Sequence, residues 1–184
     1  IARRQRQMCI RDSESLASLP SVLVSHVTVV NAGGYVVFNS LPLMAGGGLG
    51  TYLGDRPYFR QMQETNALVI SPPIKGRIVG QWLVVVALPV FRDGRFDGSV
   101  HMLVPTEFLA ARLARLSLSE QDVVGLVHPD GSFMARSVDH TAAMGLKVPT
   151  DRPYLQSLVP GSGLFRQAGA VDQVARLFGW FRLQ

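Results

Sequence analysis

The tetrapeptide Asp55-Arg56-Pro57-Tyr58 recurs unchanged as Asp151-Arg152-Pro153-Tyr154. An internal repeat constrains a chain more than any single motif, because each copy implies a whole supersecondary unit. The context repeats too. Gly34 stands 21 residues before Asp55, and Gly131 stands 20 residues before Asp151. Each glycine lies between β-branched and aromatic runs, at residues 26–30 and 35–39 in the first copy and 123–127 and 132–137 in the second. The connecting segments, Asn31-Ala32-Gly33-Gly34 and Pro129-Asp130-Gly131, supply the positive φ that tight turns require, so two β-hairpins are expected. Each tetrapeptide is then expected to open a helix, with aspartate as N-cap and proline in the first turn, where a missing N–H is harmless. Tyr58, Phe59 and Met62 share one face of the first helix, as Tyr154, Leu155 and Leu158 share one face of the second.

After the first helix, residues 68–71, the Pro72-Pro73 corner, residues 81–90 and residues 96–104 read as three antiparallel strands, the last two joined at Arg92-Asp93-Gly94-Arg95. Their near-continuous apolar character predicts a sheet with one packed face and another that encloses something. A helix is expected over residues 105–116. The second copy supplies strands at 163–167 and 171–183 but no counterpart of 96–104. An unpaired apolar strand is an aggregation liability, so this unit is expected to be incomplete and to continue past Gln184.

Composition bounds the alternatives. Of 184 residues 47% are hydrophobic and 17% charged, which is globular and not disordered. The longest apolar run, residues 83–90, is far short of the roughly 20 residues needed to cross a bilayer. The net charge of +5 owes three units to Arg3, Arg4, Arg6 and Arg11 against Asp12. Without an extended basic stripe interleaved with aromatics, nucleic-acid binding is not expected. The segment Met8-Cys9-Ile10-Arg11-Asp12-Ser13 resembles the translation of a sequencing-library adapter, so residues 1–13 are set aside as a foreign tail. Cys9, the single cysteine, then leaves no disulfide or thiolate chemistry.

Two copies of hairpin, helix and antiparallel meander describe tandem PAS-like α+β domains. The run from Leu53 to Arg60, followed by Ile70-Ser71-Pro72-Pro73-Ile74 and by Gly76-Arg77-Ile78-Val79-Gly80-Gln81-Trp82, resembles the double Cache sensor family over roughly residues 25–183. Those domains are extracytoplasmic portions of bacterial membrane receptors. The resemblance implies a signalling-helix remnant at 14–24, a membrane-distal ligand-binding unit at 25–104, a connecting helix at 105–118 and an incomplete membrane-proximal unit at 119–184. It also implies a periplasmic location, anchoring in the inner membrane by segments outside this chain, homodimerisation through the N-terminal helix, and a cytoplasmic output such as a diguanylate cyclase or histidine kinase.

The residues themselves point to an anionic guest. Arg56, Arg60 and Arg77 have few acids nearby in sequence, and guanidinium groups bind carboxylates bidentately. Tyr58 and Trp82 offer an aromatic wall with a polar tip, and Ser71 can donate a hydrogen bond. These six residues form the candidate site for a small organic anion or amino acid. The resemblance assigns it to the first repeat, whereas Arg152 and Tyr154 are expected to support the fold. The glycine-rich segment 45–50 lacks a following Lys-Ser/Thr, so it is read as a loop over the pocket and not a phosphate cradle. His26, His101, His128 and His140 are dispersed without metal-ligand spacing. Neither a cofactor nor catalysis is expected. Two alternatives stay open: an intracellular PAS module holding haem or flavin, and a small hydrolase using Ser71 or His101.

Overall fold

The computed structural model describes residues 24–41, 48–116, 119, 121–156 and 161–183. The expected tail at 1–13 and almost all of the expected signalling helix at 14–24 lie outside them, as do residues 42–47. The chain divides into two compact units between Phe108 and Leu109. Its class is α+β, as the strand and helix patterns predict.

The first unit is a six-stranded antiparallel sheet. Strands β1 (His26–Asn31) and β2 (Val36–Asn39) form the first hairpin, followed by helix α1 (Pro57–Thr65). Short strands β3 (Val69–Ile70) and β4 (Ile74–Lys75) precede the long pair β5 (Trp82–Arg92) and β6 (Arg95–Pro105). The order across the sheet is β2-β1-β6-β5-β3, with β4 also paired to β5. The closing strand β6 therefore inserts between the first hairpin and the rest. Register sets what shares a face: His26 lies opposite Leu103 and Thr28 opposite His101, while Val85 and Ala87 of β5 lie opposite those same two β6 residues. Directly opposed residues point to the same side of a sheet.

That side carries the core. Val30, Val85 and Ala87 pack with Tyr58, Phe59 and Met62 of α1 and with Leu53 and Val69. The expected helical face is thus the buried one. Phe59 and Met62 are at most 2% exposed, and each contributes about 1.5–3 kcal/mol of apolar burial. Asn66, at φ 52, ends the helix in the left-handed conformation that asparagine tolerates.

Helix α2 (Thr106–Ala114) follows β6. The second unit contains strands β7 (Gly125–Val127) and β8 (Phe133–Arg136), helix α3 (His140–Ala143), a single 3₁₀ turn at Pro153–Leu155, and strands β9 (Ser162–Ala168) and β10 (Ala175–Phe181). Among the described residues its strands form two separate two-stranded sheets, β7–β8 and β9–β10, and not one meander.

The repeat is structural. Gly34 and Gly131 both have positive φ, 84° and 89°. The carbonyl of Gly34 accepts the N–H of Leu53, and that of Gly131 accepts the N–H of Val148, in each case just before the tetrapeptide. A Cβ on Gly34 would lie 2.6 Å from the Gly54 Cα, so the hairpin turn and the segment leading to Asp55 touch as bare backbones. The Ser40 and Ser137 hydroxyls each accept the N–H thirteen residues earlier, of Val27 and Val124.

Two expectations need correction. The N-caps are Arg56 and Arg152, not the aspartates, and neither makes a side-chain cap bond. Proline is the first helical residue, and both carboxylates are drawn elsewhere, Asp55 to Arg77 and Asp151 to Gln167. The second tetrapeptide opens a 3₁₀ turn and not a full helix within the described residues, and Leu158 lies outside them.

Candidate functional site

A cleft in the first unit lies where the core face of the sheet meets the start of α1 and the segment around β4. It is lined by His26 and Thr28 of β1, Leu83 and Val85 of β5, and His101 and Leu103 of β6. Leu53, Arg56, Tyr58, Ile74, Gly76, Arg77, Ile78 and Val79 close the opposite side. Its enclosed volume is about 20 Å³, room for one or two waters, and the cleft with its open mouth takes in about 360 Å³.

The register explains the polar wall. Thr28 and His101 are direct cross-strand partners, and His26 lies two residues from Thr28, hence on the same face. All three are at most 2% exposed. His26 Nδ1 is 3.0 Å from the Ser25 hydroxyl, and His101 Nε2 is 2.8 Å from the Ser99 hydroxyl. His26 Nε2, Thr28 Oγ1 and Arg56 Nε are buried without a hydrogen-bond partner. Unsatisfied buried polar atoms are few in native proteins. Three of them lie in the lining of this one cleft.

Burial holds both imidazoles neutral, lowering the pKa of His26 and of His101 to about 4. Tyr58 stands edge-on to His101 with ring centroids 5.4 Å apart. Burial raises its phenol to about 12, so it stays a neutral donor at any physiological pH.

The six expected site residues separate into two groups. Arg56, Tyr58 and Arg77 come together in the cleft. Arg56 donates to the Lys75 carbonyl at 3.1 Å, which pins the tetrapeptide to β4. Arg77 is not free for a guest as the sequence suggested, because Asp55 takes it in a bidentate pair at 2.7 and 2.6 Å. The Arg77 hydrogen bond lowers the Asp55 carboxyl to about 2.

Arg60, Ser71 and Trp82 do not line the cleft. Arg60 is exposed on α1. Ser71 is fully buried, and its hydroxyl accepts the Val85 N–H at 2.9 Å, continuing the β3–β5 pairing where a strand would otherwise end. Trp82 begins β5 with the Lys75 ammonium 5.7 Å above its ring. The polar side chains of the cleft wall that the six-residue candidate site did not include are His26, Thr28 and His101, the last considered only for the hydrolase alternative. Their signal was available: polar residues at alternate positions of otherwise apolar strands.

The second unit repeats the scaffold and not the wall. Arg152 donates to the Ala168 carbonyl at 2.9 Å, as Arg56 does to Lys75, and its guanidinium stands 5.9 Å from the Phe165 ring centroid. Tyr154 packs on Phe165 and Trp180. The offset that superposes the hairpins places Val123 and Gly125 where the first unit has His26 and Thr28. From the glycine-rich segment, Gly48 lies against Ile78, a lining residue: a Cβ there would stand 2.7 Å from its side chain.

No protein-family model matches the chain, and no curated protein matches it. Among solved structures it is similar to the extracellular domain of a candidate histidine kinase, rpHK1S-Z16, with 22% identity and a TM-score of 0.75, covering 91% of this chain and 68% of that one. It is similar to an extracellular ligand binding receptor from Desulfohalobium retbaense DSM5692, with 21% identity and a TM-score of 0.63, covering 78% of this chain and 26% of that one. A third match is the ligand-binding domain of Pseudomonas fluorescens chemoreceptor CtaA in complex with L-alanine, at 16% identity and a TM-score of 0.60, covering 89% of this chain and 65% of that one. At these identities the likeness establishes architecture: the chain has the mixed, mostly antiparallel fold of Cache-like extracellular sensor domains.

Proposed function

We propose that this chain is the extracytoplasmic sensing portion of a bacterial membrane receptor, and that its first unit binds a small carboxylate or amino acid. The observation that carries the reading is the cleft at Arg56, where buried polar atoms of strand β1 and of the tetrapeptide lack partners on one side of a packed sheet. In this reading the first unit is membrane-distal and the second membrane-proximal. The receptor works as a homodimer, and its cytoplasmic output is a diguanylate cyclase or histidine kinase. The chemoreceptor domain noted above holds L-alanine, which supports a guest of that size. In this reading the cleft closes on its ligand. A ligand with unequal affinity for the closed and open arrangements is what makes such movement a signal.

The test is a thermal-shift screen of organic acids and amino acids on this chain and on Arg56→Ala. At least one compound should stabilise the wild type, by about 2.7 kcal/mol at a concentration a hundredfold above its Kd, and leave the variant's own baseline unmoved. A panel without any stabilising compound, or stabilisation that persists in Arg56→Ala, refutes the proposal.

A further inference from the structure

We infer that the cleft selects a short hydroxycarboxylate over an α-amino acid, with Thr28 and His26 reading the hydroxyl and Arg56 holding the carboxylate. This rests on the sensor reading above and narrows its ligand class. Two observations converge. The first is charge. Arg56 offers an unpartnered Nε–H, and no Asp or Glu lines the cleft among the described residues. Asp55, the neighbouring acid, has both oxygens committed to Arg77. A carboxylate therefore meets a donor, whereas an ammonium would be buried against neutral imidazoles without a counter-charge, which is costly.

The second observation is the chemistry of the far wall. Thr28 Oγ1 and His26 Nε2 are both unpartnered, and both residues are at most 2% exposed. Nδ1 of His26 sits against a serine hydroxyl that can either give or take a proton, so Nε2 is an acceptor in one tautomer and a donor in the other. A hydroxyl guest both donates and accepts, and so satisfies threonine and imidazole in either state. A methyl group in that position satisfies neither.

Calorimetry with glycolate, lactate, propionate and alanine tests the inference on the chain, on Thr28→Val and on Thr28→Ser. Glycolate or lactate should bind about tenfold or more tighter than propionate and alanine, the loss expected when buried hydrogen-bonding groups are left without partners. Thr28→Val should remove the preference for lactate over propionate without weakening propionate, and Thr28→Ser should restore it. If Thr28→Val does not fold, His26→Gln serves in its place and should reduce the same preference. Alanine binding as tightly as lactate, or a preference that survives Thr28→Val, overturns the inference while leaving the sensor reading intact. If the broad screen yields no ligand, the sensor reading fails, and this inference fails with it.

Discussion

Acid should destabilise the first unit well above the pH at which carboxylates titrate. His26 and His101 are held neutral by burial, with pKa lowered from 6.5 to about 4. The unfolded chain binds protons at these histidines below 6.5, and the folded chain does so only near 4. The unfolded state therefore binds more protons across that window, and stability rises with pH through it. As pH falls from 7.5 to 5.5, each histidine costs roughly 1.3 kcal/mol and the two together about 2.7 kcal/mol. Asp55, Asp130 and Asp172 have lowered pKa values, so their contributions are lost only below their ordinary value of 3.8, outside the window. Urea unfolding of Trp180→Phe, leaving Trp82 as the fluorophore in the first unit, measures the change. The midpoint should fall at pH 5.5, and His26→Gln combined with His101→Gln should abolish most of the fall. Equal stability at the two pH values, or an undiminished fall in the double variant, would refute the reasoning.

Three other substitutions have defined outcomes. Thr28→Val removes a buried hydroxyl without a partner, so it should raise the stability of the ligand-free protein by about 1–2 kcal/mol in urea unfolding; a loss of that size would mean the hydroxyl is satisfied. Ser71→Ala deprives the Val85 N–H of its acceptor and should cost about 1–3 kcal/mol while leaving ligand affinity unchanged, which calorimetry checks. Gly34→Ala places a Cβ 2.6 Å from a backbone Cα at positive φ, and should cost about 2–4 kcal/mol; neutral behaviour in thermal melts would show that the turn and Gly54 can separate freely.

Much of the fold was legible because its signals are local. The hairpin turns needed glycine at positive φ, the strands were β-branched and apolar runs, and proline marked the first turn of α1. Tyr58, Phe59 and Met62 were recognisable as one helical face, and all three are buried. The repeat spacing was also visible, and its meaning is a shared hydrogen bond donated to each hairpin glycine's carbonyl by the segment before the tetrapeptide. The candidate site was legible only in part. Arg56, Tyr58 and Arg77 meet in the cleft. Ser71 looked like a donor from its place near a strand end, yet it serves the backbone of a strand fourteen residues on.

What a single sequence determined was everything governed by neighbours along the chain: where it turns, which faces are apolar, and that a hairpin followed by the same tetrapeptide occurs twice. Tertiary structure decided the rest. Insertion of β6 beside β1 sets Thr28 against His101, 73 positions apart, and the packing of the β4 segment on the start of α1 brings Asp55 and Arg77 into a bidentate pair from 22 positions apart. Such pairings depend on sheet register, and a slip of one residue would turn His26, Thr28 and His101 to the opposite face. The composition of the cleft is therefore a property of strand order and register, which local residue preferences do not encode.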